Sequence, residues 1–149
     1  MGVISKDQKV INEILYRGQV CRIALCVDGK PYIIPMNYGY KDGIIYLHTS
    51  INSMKLELIR RNNFICFEVD TDLELVVNED PCKTSMRYKS VIGCGSAYII
   101  EDNTEKTNAL NIITLKYLGR RYTYKSSDLN RTAVIKIVVE EASAKISGY

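Results

Sequence analysis

Two dipeptides, Asp28-Gly29 and Asp42-Gly43, constrain this chain more than anything else in it, because each stands between runs suited to strands. An Asp-Gly pair accepts the positive φ angles that a tight hairpin turn requires. Val20 to Val27 alternates around Arg22 before the first pair, Pro31 to Tyr40 lies between the two, and Ile44 to Thr49 follows the second. β-branched and aromatic residues dominate these runs, which predicts three strands in an antiparallel meander.

Ser5 and Gln8 stand at capping-box spacing ahead of Val10, Ile11, Ile14 and Leu15, which share one helical face, and Gly18 supplies a stop. Asn52 or Ser53 caps a two-turn helix over Met54 to Arg61, ended by Asn62-Asn63. Strands are expected over Phe64 to Asp70 and Arg87 to Ile100, with Thr71 to Ser85 between them as a long connection. Gly93 and Gly95 interrupt the second of these, where a bulge or a close backbone approach is expected. Asp102 and Glu105 form another capping box, for a helix carrying Leu110, Ile113, Thr114 and Tyr117 on one face and closed by Gly119. A basic, tyrosine-bearing loop over Arg120 to Arg131 leads to a last strand, Ala133 to Glu141.

Six strands against three short helices, most strands apolar on both faces, predict a mainly β fold closed as an antiparallel barrel. An apolar outer face needs cover, and a second copy of the chain supplies it most simply. At 149 residues the chain fits one domain, 1–149, able to bury a core without disulfides. Five cysteines without a CxxC pair and a single histidine, His48, argue against a disulfide framework, a zinc ribbon and a multi-histidine metal site. The net charge of +3 is spread along the chain, with basic doublets only at Arg60-Arg61 and Arg120-Arg121, so nucleic acid is not an expected partner. No apolar run approaches the roughly 20 residues of a membrane helix. The first ten residues lack a secretory apolar core, and a cytoplasmic location is expected.

Three segments carry candidate chemistry. In Ile34-Pro35-Met36-Asn37-Tyr38 a proline interrupts a strand; either neighbouring backbone groups turn outward to bond a flat heteroaromatic ring, or the strand is an edge with a bulge. His48-Thr49-Ser50 with Lys55 gathers hydroxyls, helix N-terminal amides and a cation, the ingredients of a phosphate site, although ordinary N-capping accounts for the serine equally well. Along Met86 to Gly93, Arg87, Lys89 and Val91 face one way while Tyr88, Ser90 and Ile92 face the other. Two polar faces at the onset of a buried strand imply a ligand or subunit contact, or else a solvated strand end. GxGxxG, Walker and GxSxG motifs are absent.

At these same segments the sequence resembles the FMN-binding split-barrel (pyridoxamine 5'-phosphate oxidase-like) proteins, in the branch related to 5-nitroimidazole resistance. The similarity runs in order from about Val20 to Gly119: CRIALCVDGKPYIIPMNYGYKDGIIYLHTS, MKLELIRRN, FICFEVD, then CKTSMRYKSVIGCGSAYIIED, and the tail IVVEEASAKISG looks like the family's last strand. The resemblance implies a six-stranded antiparallel Greek-key split barrel that forms a homodimer with FMN at the subunit interface. It sets Pro35, Met36, Asn37 and Tyr38 beside the isoalloxazine and His48, Thr49, Ser50 and Lys55 at the ribityl phosphate. Arg87, Tyr88, Ser90 and Val91 match the strand that the neighbouring subunit contributes. One departure is Ser53-Met54, where the family commonly has Gly followed by Arg or His; losing that cation is expected to weaken phosphate binding by about 1–3 kcal/mol. The implied activity is flavin-dependent reduction of a small electrophile such as a nitroaromatic. The rival functions are a non-catalytic flavin or haem carrier, with His48, a Tyr, Cys or Met as axial ligand, and a dimeric interaction domain with an empty groove.

Overall fold

Both Asp-Gly pairs turn as their chemistry requires in the computed structural model, which describes residues 2–149. Asp28 and Gly29 have φ of 53° and 73°, and Asp42 and Gly43 have φ of 51° and 77°. In chain order the elements are β1 (Val3–Ser5), α1 (Gln8–Arg17), β2 (Cys21–Val27), β3 (Lys30–Met36), β4 (Gly39–Lys41), β5 (Ile44–Ser50) and α2 (Met54–Arg61). They continue with β6 (Phe64–Val76), a 3-10 turn (Pro81–Lys83), β7 (Ser85–Ile100), α3 (Asn103–Leu118), α4 (Ser126–Arg131) and β8 (Thr132–Ser147).

The fold is mainly β and antiparallel, but the described residues hold eight strands rather than the expected six. The sheet runs β3-β2-β6-β7-β8-β5-β4, with β1 added on β8. Its two ends, β3 and β4, are joined through Asn37 and Tyr38 alone. A three-residue step from Met36 to Gly39 spans at most about 11 Å, so the sheet curls until its ends come side by side. The barrel is thus closed by a covalent link where a ladder would otherwise run.

That link also corrects the expected meander. The predicted strand over Pro31 to Tyr40 is two strands, the first pairing back on β2 and the second forward on β5. Further corrections lie at the margins. Val3–Ser5 is a strand on β8, so Ser5 does not cap the first helix; Asp7 does, accepting from the Lys9 N–H at 2.9 Å. β6 runs on past Asp70 through a bulge between Thr71 and Glu74, with Asp72 at φ 55°, so half of the expected connection is strand. The basic loop contains α4, and β8 is 16 residues long.

The core lies between the inner faces of the curled sheet. Cys21, Ile23 and Leu25 of β2, Ile45 and Leu47 of β5, Phe67 and Val69 of β6, Val91 of β7 and Ile135 and Ile137 of β8 are all buried there. α1 adds Ile11, Ile14 and Leu15 to the same cluster. A second cluster, Ile100, Ala109, Leu110, Leu129 and Val134, sits under α3 and α4. Each aliphatic side chain so buried contributes about 1.5–3 kcal/mol.

Lys116 ties α1 to α3. Its Nζ donates to the carbonyls of Tyr16 at 2.6 Å and Leu15 at 3.4 Å, and stands 4.6 Å from the Tyr38 ring centroid. Burial pulls this ammonium down from 10.5 to about 8. Between those values the unfolded chain holds a proton that the folded one has released, so the lysine's contribution to stability rises with pH across that window. Cys21, pushed by burial from 9.0 up to about 12, gives the opposite slope above pH 9, as do Tyr38 and Tyr117, which burial also raises. The lysine's part is therefore read as a difference. Denaturant midpoints of the wild type and Lys116→Met, compared from pH 7 to 10.5, are expected to diverge in favour of the wild type from about pH 8 upward. A gap that stays constant over this range would refute the burial account.

Candidate functional site

Two of the three candidate segments border the break in the barrel wall. The β4–β5 ladder stops at Gly39↔Tyr46, and beyond it the strands part. Met36 and Asn37 stand on one side of the opening, His48 and Thr49 on the other. Pro35, opposite Arg22, lies on the edge strand β3, whose outer side has no ladder partner. A proline is tolerated there because the N–H it lacks would have faced outward. Pro35 thus stands on an edge strand, and the β2–β3 register passes it without the expected bulge.

The four residues of this first segment divide by exposure. Pro35 and Asn37 are exposed, while Met36 is half-buried and packs against the core. Tyr38 is fully buried. Its hydroxyl reaches the carbonyl oxygens of Leu15 at 2.5 Å and Gly18 at 3.1 Å, and its N–H donates to Tyr117 Oη at 3.0 Å. Tyr117 in turn donates to the Gln19 carbonyl at 2.8 Å. Burial raises the Tyr38 phenol far above its ordinary value, so it stays protonated. Tyr38 thus ties the C-terminus of α1 to α3, the first through its phenol and the second through its N–H.

The second segment sits at the end of β5 and the start of α2. His48 is exposed on the outer face, in register with Val134, and borders a cavity of about 400 Å³ lined by Leu110, Ile113, Tyr124 and Leu129. Burial against this cavity, which Thr114, Asp128 and Thr132 also line, disfavours the imidazolium and lowers the His48 pKa. Tyr124 Oη, on the same cavity, is buried without a hydrogen-bond partner. Ser50 O accepts from Ser53 N–H at 3.0 Å, closing a turn that presents Ser53 as the cap of α2. Ser53 Oγ accepts from the Lys55 N–H and lies 3.3 Å from Lys55 Nζ, placing hydroxyl, amides and ammonium together. Among the described residues no carboxylate pairs with Lys55, so its charge is free for an anion.

The third segment stands apart. Val91 is wholly buried in the core, Ser90 is 8% exposed, and Arg87 and Tyr88 are half-buried. Arg87 Nη1 is 3.5 Å from Glu74 Oε2, Lys89 Nζ is 3.2 Å from Asp72, and the Tyr149 ring lies against both cations. In the sheet Val91 shares a row with Val69, Cys21 and Met36, three strand spacings or roughly 14 Å across. His48 shares a row with Val134 and Ile100, nine residues further along β7, on the order of 30 Å for an extended strand. Along β7 the third segment is thus nine or more residues removed from the row of His48.

Residues that local pattern did not single out also flank the opening. Arg22 Nη1, beside Pro35, is 3.2 Å from Glu68 and 3.6 Å from Asp70. Strand alternation puts Arg22 on the outer face, but its partners follow only from the β2–β6 register. The described residues contain no group of three His, Cys, Asp or Glu able to hold a metal ion, and no helix long and apolar enough to cross a membrane.

The family model described as pyridoxamine 5'-phosphate oxidase matches residues 7–146. Among solved structures the chain is similar to a protein from Bacteroides thetaiotaomicron provisionally assigned to 5-nitroimidazole antibiotic resistance. The two share 30% identity over 98% of this chain and 87% of that one, with a TM-score of 0.87. The fold is also that of a FAD and haem binding protein from Mycobacterium smegmatis, at 20% identity, 98% and 74% coverage and a TM-score of 0.87. A flavocytochrome from Azotobacter vinelandii matches at 21% identity, 98% and 70% coverage and a TM-score of 0.85. No curated protein matches the chain.

Proposed function

The chain belongs to the pyridoxamine 5'-phosphate oxidase family, and on that footing we propose that it is an FMN-binding flavoprotein, acting as a homodimer, that reduces a small electrophile such as a nitroaromatic. The observation that carries this reading is the break between β3 and β4, with Pro35 to Asn37 on the free edge of one strand and His48 to Ser50, leading into the Ser53 cap and Lys55, on the strand that continues past it. The ammonium of Lys55 and the Ser53 hydroxyl beside it suit the ribityl phosphate, and the exposed edge of β3 suits a flat ring. Flavins are also what similarly folded proteins are described as binding.

The homodimer is supported by two features. Arg87–Val91 stands nine or more residues along β7 from the row of His48, a separation that a second copy would bridge by supplying its own β7. Ile33, Phe64, Ile92 and Tyr98 also leave an apolar outer sheet face exposed, of the kind that interfaces cover. When bound, reduced FMN supplies hydride to the substrate. The chain's own residues bind and orient: Lys55 neutralises phosphate, the β3 edge offers backbone groups to the ring, and neutral His48 offers a nitrogen to a nearby proton.

Quenching of flavin fluorescence on titration measures binding directly. Lys55→Ala is expected to weaken FMN by about 10- to 100-fold, the equivalent of a lost hydrogen bond to a charged group. It is expected to leave riboflavin, which lacks the phosphate, unaffected. Equal weakening of both ligands would remove Lys55 from the phosphate, and no quenching at all would sink the flavin reading. A Soret band on haem titration that disappears in His48→Ala would point to the carrier instead.

A further inference from the structure

The β6–β7 register sets Cys66 directly opposite Cys94. Directly opposed residues in an antiparallel pair project to the same face, and here it is the outer one: Ile65, Phe67 and the inward members of β7 are buried, whereas Cys66 is exposed and Cys94 half-buried. The kind of pair follows from the hydrogen bonding. The Ala97 N–H donates to the Asn63 carbonyl at 2.8 Å, which makes 63/97 a hydrogen-bonded pair. Such pairs alternate with unbonded ones along a ladder. Three steps on, with no irregularity between Phe64↔Ser96 and Thr71↔Lys89, Cys66/Cys94 is a non-hydrogen-bonded pair. In pairs of that type the Cα atoms approach to about 4.5 Å, inside the roughly 4.4–6.8 Å range that a disulfide spans. No other cysteine is so placed. Cys26 lies beyond the last β2–β6 pairing, Ala24↔Cys66, Cys82 is on the 3-10 turn, and Cys21 is in the core.

We propose that Cys66 and Cys94 form a reversible dithiol–disulfide site on the outer face of the sheet, oxidised by small peroxides. The Cys66 thiolate attacks one peroxide oxygen, forming an S–O bond as the O–O bond breaks and water leaves. Cys94 then attacks the Cys66 sulfur; the S–S bond forms, the S–O bond breaks, and the hydroxyl takes up the remaining proton as a second water. Two thiols have lost two electrons and the peroxide has gained them. Burial and the neighbouring Cys66, Glu141 and Glu140 raise the Cys94 thiol, which holds back its thiolate and leaves the first attack to the more exposed Cys66. Cross-strand geometry departs from relaxed disulfide geometry, so a small dithiol such as dithiothreitol is expected to reopen the bond.

The inference needs the β6–β7 register and not the flavin reading, and the two fail separately. Purified full-length protein is treated with a slight excess of hydrogen peroxide, then denatured, its thiols counted and its peptides mapped. The five free thiols are expected to fall by two, with the Cys66 and Cys94 peptides joined within one chain and restored by dithiothreitol. Cys66→Ser and Cys94→Ser, both on the outer row and outside the core, are expected to fold and to form no internal link. If a second copy covers this face, dilution speeds the reaction without altering its product; a rate independent of concentration counts against that cover alone. Persistent sulfenic or sulfinic acid at Cys66, a link to Cys26 or Cys82, or a link between chains overturns the proposal.

Discussion

Gly95→Ala is expected to destabilise the fold by about 3 kcal/mol, the upper part of the usual range for overpacking, and to lower its unfolding midpoint by roughly 6–12 °C. A Cβ built at this position meets the carbonyl oxygen of Val138, its carbonyl carbon at 2.9 Å and the Cα of Val139 at 3.2 Å. All three are backbone atoms of β8, so no side chain can rotate aside; β7 and β8 must separate locally. The closeness comes from a bulge. The register shifts between Cys94 and Gly95, so that Glu140 has no partner of its own and β8 bends in against β7. Gly29→Ala provides the contrast, because nothing lies within 4 Å of its Cβ and only the left-handed backbone at φ 73° opposes it, a cost of about 1–2 kcal/mol. Thermal and denaturant unfolding of the two variants measures both terms. If Gly95→Ala stays within about 1 kcal/mol of the wild type, the backbone of β8 yields at the bulge and its rigidity has been overestimated.

What could be foreseen in this chain was what depends on neighbours in sequence. The Asp-Gly turns, the caps at Ser53 and Asp102, the left-handed stop at Gly119 and the close approach at Gly93 and Gly95 are all set within a few residues, and all are present. Pairing between distant strands was not legible in the same way. Val3–Ser5 is a strand only because Ala144–Ile146 lies beside it, and Leu73 and Leu75 are exposed strand residues with none of the alternation that a half-buried strand prints in its sequence. The break at Asn37 and Tyr38 was hidden for another reason. Pro31 to Tyr40 is uniformly suited to strand, and only the change of partner from β2 to β5 divides it.

The same distinction governs the candidate site. Lys55, Ser53 and Ser50 lie close together in sequence, and their contacts with one another follow from the local cap. Tyr38 and Val91 were named from a motif, and their side chains are in the core. A motif fixes which backbone passes a place, whereas burial is decided by what packs there, in this case α1, α3 and the inner sheet face. At Tyr38 the phenol and the backbone N–H are both taken up inside the fold, so neither donor faces the site.

If the proposed site draws Lys55 from one chain and Arg87 from its partner, two defective variants are expected to repair each other. Lys55→Ala and Arg87→Ala should each lose FMN affinity as homodimers, since every site then lacks one cation. Neither change should cost the fold much: Lys55 makes no ion pair among the described residues, and the Arg87–Glu74 contact is an exposed one at 3.5 Å with 43% and 57% of the side chains open to solvent, worth about 0–1 kcal/mol. After subunit exchange, random pairing makes about half of the dimers mixed, and each mixed dimer holds one intact site and one that lacks both cations. About a quarter of all sites should therefore regain wild-type affinity, given the symmetry of a two-fold interface. Flavin fluorescence titration of the exchanged mixture, beside the two unmixed variants and the double variant, reads this fraction. A site contained within one chain predicts no recovery, because exchange would then restore nothing. Recovery without Arg87 having mattered is impossible by construction, so the measurement separates a shared cleft from a private one by sign and not by degree.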